Sequence, residues 1–136
     1  MYRLRFHESA EDDLEDIQVS DPDGAYLLLT LLEELQGDQD LLDRLSQHGY
    51  DVRDSDDWAA NFNVKEFVSQ QKQGRNLWRL RAWDFGASLY RVVYAFQPQL
   101  RTYVVLGVFH KRHFDYEPEN PLTRRVVADY EDLRGW

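Results

Sequence analysis

Residues 2–7 alternate apolar and polar side chains, with Tyr2, Leu4 and Phe6 set against Arg3, Arg5 and His7. This two-residue period predicts a half-buried strand. Ser9 stands three residues before Asp12 at the head of an acidic stretch, a capping arrangement that predicts a short helix over residues 10–17. Asp21-Pro22 predicts a second helix start, because proline at the first helical position gives up an amide hydrogen that has no partner there. That helix runs to Gly37 with Leu28, Leu31, Leu32 and Leu35 as its apolar stripe, and Asp38 or Asp40 opens a further one through Leu41, Leu42 and Leu45.

Residues 50–63 carry several aspartates without a clear period and read as an exposed connection. Beyond it, residues 62–67, 77–83, 89–96 and 102–110 are rich in Val, Tyr, Phe and Trp and predict four strands. Turn material separates them: Gln71-Lys72-Gln73-Gly74, Asp84-Phe85-Gly86 and Gln97-Pro98-Gln99. Short connections imply antiparallel neighbours. Asn120-Pro121 opens a last helix with Leu122, Val126, Tyr130 and Leu133 on one face. The expected fold is a single α+β domain over residues 1–136, an antiparallel sheet with N-terminal helices on one face and a C-terminal helix.

Charge changes this picture. The net charge is -9, which by itself argues against a nucleic-acid partner, yet it is unevenly spread. Residues 1–60 hold 4 basic and 17 acidic side chains, whereas residues 61–136 hold 12 and 8. From Lys65 to Arg112 nine basic residues meet only Glu66 and Asp84. The acidic run from Glu8 to Asp16 is an ordinary solvated face, but the arginines of the second half alternate with strand-forming residues and make a face where a polyanion can dock. There is no cysteine, which excludes disulfides, thiolate catalysis and cysteine-bound metal. No apolar run is long enough for a membrane helix and no secretory signal opens the chain, so a cytoplasmic location without a membrane partner is expected.

Strand period decides which cations cooperate. Leu77, Arg79, Arg81 and Trp83 point one way, Trp78, Leu80 and Ala82 the other. Arg91 lies between Tyr90 and Val92, and in the next strand Tyr103, Val105, Phe109 and Lys111 are expected on one face, followed by Arg112, His113 and Tyr116. If these strands pair in order, Arg79 and Arg91 project toward the end where residues 110–116 emerge, building one cationic pocket. Guanidinium groups hold phosphates while rings stack on bases. His113 is the candidate to accept or return the proton, since imidazole is the side chain suited to both near neutral pH. Arg81 has two readings, an RNA contact or an ion pair with Asp84 or another carboxylate. His110 and His113 lack a third ligand at a diagnostic distance, so neither metal nor cofactor is expected. Tyr90, Tyr94, Trp78 and Trp83 read as sheet packing.

The runs Leu77-Trp78-Arg79-Leu80-Arg81, Tyr90-Arg91-Val92-Val93-Tyr94 and Val105-Leu106-Gly107-Val108-Phe109-His110-Lys111-Arg112 resemble the three core strands of the RelE/ParE superfamily of type II toxin–antitoxin toxins. The resemblance spans residues 62–136, and the N-terminal strand and helices match in order. It implies a small concave sheet that, in one branch, cuts mRNA on the ribosome without a metal, the ribose 2′-hydroxyl attacking the adjacent phosphate. By the same resemblance Arg91 matches the arginine on the scissile phosphate, Arg79 a basic residue of the second core strand, and Lys111 and Arg112 the basic pair closing the last one. Tyr116 lies near the tyrosine that stacks on a base or assists proton transfer. A cognate antitoxin protein is the implied partner. Net acidity, the long connection at 50–63 and a helical layer without basic surface depart from the ribosome-dependent pattern. They keep two alternatives open: a ParE-type inhibitor of DNA gyrase without nuclease activity, and a non-toxic interaction module.

Overall fold

The computed structural model describes residues 1–84 and 86–136. Along the chain, β1 (Arg3–Phe6) leads into α1 (Glu8–Ser20), α2 (Pro22–Gln36) and α3 (Gln39–Arg44). Then come β2 (Phe62–Glu66), the single-turn α4 (Val68–Gln71), β3 (Leu77–Ala82), β4 (Tyr90–Gln97), β5 (Thr102–His110) and α5 (Pro121–Glu131). The sheet order is β1-β5-β4-β3-β2. The four later strands pair antiparallel as expected, but β1 runs parallel to β5, with Arg3 opposite Thr102 and Phe6 opposite Val105, so the sheet is mixed. The expected turn at residues 84–86 includes Phe85, which lies outside the described residues. No helix is long and apolar enough to cross a membrane among the described residues.

The helix starts follow local hydrogen-bond chemistry. Asp21 Oδ1 accepts from Gly24 N at 3.1 Å, Asp38 Oδ1 from Leu41 N at 3.1 Å and Asn120 Oδ1 from Leu122 N at 2.9 Å. At α1 the expected Ser9 cap is replaced by His7, whose Nδ1 accepts from Ser9 N at 3.0 Å, so the helix begins earlier than the acidic run suggests.

Each face of the sheet carries its own core. On one face the stripe Leu28, Leu31, Leu32 and Leu35 packs against Leu4, Val64, Leu80, Tyr94 and Val105. On the other, Leu77, Val93, Ala95, Val104, Leu106 and Phe109 pack with Phe114 and Val126 of the C-terminal segment. Because α5 packs on β5, the β2 and β3 end of this second face carries no helix as long as those on the first.

A register shift in β5 decides where its polar end points. Val93 pairs with Gly107 and Tyr94 with Val105, so Leu106 is an extra residue, a bulge that reverses the alternation beyond it. Tyr103 and Val105 share the face covered by α2, but Phe109, expected on the same face, joins the opposite core, and Val108 returns to the α2 side. Gly107 permits this close packing: a Cβ there would lie 2.2 Å from the Phe109 ring. Beyond the end of β1, Asp13 of α1 accepts from Val108 N at 3.0 Å and binds Arg125 of α5 at 2.9 and 2.6 Å, while Arg125 Nη2 donates to Leu106 O at 3.3 Å. These two side chains satisfy backbone groups at the bulge and tie together helices from opposite faces of the sheet.

Candidate functional site

The open end of the second face gathers half-buried cations. Lys65 pairs with Arg79 and Asn63 with Arg81 across β2 and β3, and Val93 faces Arg79 from β4, two residues after Arg91. The structure therefore brings Arg79, Arg81 and Arg91 to one face, as the strand period predicts. None of them forms an ion pair among the described residues, and Asp84 instead accepts from Gly86 N at 3.4 Å. Neutral oxygens hold Arg79 and Arg91, whereas Arg81 lies over the Trp83 ring. Arg79 Nη1 donates to Asn63 Oδ1 at 2.6 Å, and Arg91 Nη1 donates to the carbonyls of Ser88 and Tyr90 at 2.9 and 3.2 Å. Burial lowers the pKa of both guanidiniums, and the neighbouring Arg81 charge lowers them further.

Tyr116 reaches the same cluster from the loop before α5. Its ring packs edge-on to Phe67 at 5.4 Å and against Phe114 at 4.3 Å, and its backbone has a φ of 66°. For a bulky residue this left-handed conformation costs about 1–3 kcal/mol and persists only where its surroundings impose it. The hydroxyl is buried. Arg91 lies close enough to polarise it, yet the geometry falls short of a hydrogen bond, and the oxygen has no partner among the described residues. Burial raises the tyrosine pKa, while Arg79, Arg91 and Arg81 oppose that rise. An unsatisfied buried hydroxyl amid unpaired cations is the arrangement an anion would complete.

From this cluster an open groove of about 1060 Å³ runs between α4 and α5, with Lys65, Lys72 and Arg124 among its charged residues and Phe67, Val68 and Val127 among its apolar ones.

Lys111, Arg112 and His113 do not join Arg91 and Tyr116. They form an exposed 3-10 turn after β5, and Arg112 and His113 line a separate cleft of about 520 Å³ with Asp16, Asp21, Tyr90 and His110. The single pocket expected from strand order is thus divided in two, and the β5 bulge is the cause, since it turns His110 toward Tyr90 on the helical side. In this cleft the Tyr90 hydroxyl donates to Asp21 Oδ2 at 2.8 Å, and its pKa is pushed up to about 12 by burial and that carboxylate. His110 Nδ1 accepts from Arg112 N at 3.2 Å and so caps the turn in its neutral form.

Burial and the cations of Arg112, His113 and Lys111 hold the pKa of His110 below its ordinary 6.5, against a smaller opposing pull from Asp21. The unfolded chain therefore binds this proton first as pH falls, and stability is expected to drop below about pH 6.5. Urea titrations at about pH 7 and about pH 5.5 should show that loss, and His110→Gln should reduce it.

The connection at 50–63 contributes more than its sequence suggested. Gly49 N and Val52 N donate to Val64 and Phe62 carbonyls, and Val64 N to Tyr50 O, so the segment runs along β2. It brings Asp51 to the indole N–H of Trp83 at 2.8 Å and Arg53 over the Trp83 ring. The signal was present, since Tyr50, Asp51, Val52 and Arg53 alternate apolar and charged.

Comparison with known proteins returns no match: no family model fits the chain, and neither a curated protein nor a solved structure aligns with it.

Proposed function

We propose that the protein is a toxin of a type II toxin–antitoxin system, a metal-independent endoribonuclease that cleaves mRNA on the ribosome and is held in check by an antitoxin. The observation that carries this reading is the trio Arg79, Arg81 and Arg91, without a carboxylate partner among the described residues, around a Tyr116 hydroxyl that is unsatisfied among them. Attack of the 2′-oxygen on phosphorus breaks the bond to the 5′-oxygen and leaves a cyclic phosphate and a free 5′-hydroxyl. Negative charge grows on the phosphate oxygens during this step, and fixed guanidiniums stabilise it without a metal. Tyr116 is protonated at neutral pH, so it serves as a donor, giving its proton to the departing 5′-oxygen and recovering one from water. The 2′-hydroxyl proton passes to water. His113 and Arg112 take no part in this scheme, because they line the other cleft.

Tyr116→Phe is the direct test. Cleavage of a programmed ribosomal message should fall by about 10²-fold or more. Thermal stability should hold or rise by about 1 kcal/mol, because the lost hydroxyl has no partner among the described residues. Parent-like cutting by this variant would remove Tyr116 from the mechanism. The place of His113 in the other cleft favours a second reading, gyrase inhibition, which needs a binding surface and no proton acceptor. Growth arrest with intact mRNA and blocked DNA supercoiling would select it, and absence of arrest would select the inert interaction module.

A further inference from the structure

Trp83, just past β3, holds an arrangement that sheet packing does not require. Its indole N–H donates to Asp51 Oδ1 at 2.8 Å. The Arg53 guanidinium carbon lies 3.9 Å from the ring centroid, and Arg53 Nη2 donates to Asp51 Oδ2 at 3.4 Å. Arg53 is therefore a flat group stacked on an aromatic ring with an N–H edge turned to a carboxylate. Its side chain is 64% exposed, so the contact is open to solvent on its outer side. Burial disfavours ionisation of Asp51, but the hydrogen bonds from Arg53 and Trp83 outweigh it and hold the carboxyl below its ordinary range.

What the site holds defines what it accepts. An ionised carboxylate only accepts hydrogen bonds, so it selects a planar partner with adjacent N–H donors on one edge. The N1–H and N2–H₂ edge of guanine is a guanidine unit built into a base, and it presents to a carboxylate the same paired donors as an arginine. Adenine and cytosine place a ring acceptor beside their amino group, and uracil flanks its N–H with two carbonyls, so each sets a lone pair against the carboxylate. The indole supplies the stacking surface that any base accepts. Arg81 connects this place to the cationic face: its guanidinium lies 4.3 Å from the Trp83 centroid, and its charge also acts on Tyr116.

We propose that Trp83 and Asp51 form a guanine-binding subsite at the rim of the cationic face, filled by the Arg53 side chain in the free protein and by a guanine of single-stranded RNA in the complex. This inference rests on the RNA reading above and adds the base it selects. Exchange is cheap, because an exposed ion pair such as Arg53 with Asp51 contributes little.

The test uses fluorescent hexadeoxynucleotides of thymine carrying one central guanine or one central adenine, which lack the 2′-hydroxyl and cannot be cut. Fluorescence anisotropy with the full chain should show the guanine hexamer bound about tenfold more tightly, the scale of one bidentate edge contact. Asp51→Asn should bring the two hexamers to within about twofold of each other. Arg53→Ala should tighten the guanine hexamer by about threefold, since the variant lacks the internal competitor. If Arg53→Ala instead weakens both hexamers alike, Arg53 is a phosphate contact and the subsite is wrong. Equal binding of the two hexamers by the parent, or binding of neither, overturns the guanine subsite, whereas the RNA reading stands or falls with cleavage of the programmed ribosomal message.

Discussion

Arg91→Ala is expected to slow RNA cleavage by about 10²- to 10³-fold, the loss typical of one fixed donor aimed at developing charge. The side chain is positioned before any substrate arrives, since Ser88 O and Tyr90 O hold one of its nitrogens. That fixation is what makes a guanidinium effective: it stabilises charge without having to reorganise as the charge forms. Arg91→Lys keeps the charge but loses the fork and should fall between parent and alanine variant. Single-turnover cleavage on programmed ribosomes measures the effect, and circular dichroism of the same samples separates it from unfolding. An alanine variant that folds and cuts at the parent rate would remove Arg91 from the site.

Asp13→Ala is expected to give the largest stability loss, about 3 kcal/mol, or roughly 10 °C in melting temperature. Asp13 accepts from Val108 N and from two nitrogens of Arg125, so its removal strands a backbone amide and a half-buried cation together. The side chains of Arg125 and Asp13 are 32% and 14% exposed, which places the cost at the lower end for a broken buried pair. Thermal melts of Asp13→Ala, Arg125→Ala and the double variant form a cycle in which the double change should cost clearly less than the two single losses added. Additive losses would show that the pair does not act as a unit.

The strands and the face shared by Arg79 and Arg81 were legible in the sequence, because alternation over β3 leaves one arrangement that buries Trp78, Leu80 and Ala82. The final strand was less legible. A one-residue bulge cancels the alternation that locates everything after it, so Phe109, His110 and Arg112 were assigned to the wrong surroundings. Gly107, a glycine inside an otherwise strand-forming run, was the available sign. The direction of β1 was not legible, because a short strand has the same pattern whether its neighbour runs with it or against it. Capping by His7 was hidden too, since an imidazole with an accepting Nδ1 does the work usually read from serine or aspartate. At the cationic face, strand period and the local runs pointed to Arg79, Arg81 and Arg91, but Asn63 and Asp51 act through contacts that only the folded β2 and segment 50–63 create.

The parallel pairing of β1 with β5 sets an order of assembly. Arg3 through Phe6 have no ladder partner until Thr102 through Val105 have been made, and Asp13 waits longer still for Arg125. During synthesis β1 and α1 can pack on α2, but β1 must wait for β5 before it joins the ladder, so closure of the sheet becomes a late event in maturation.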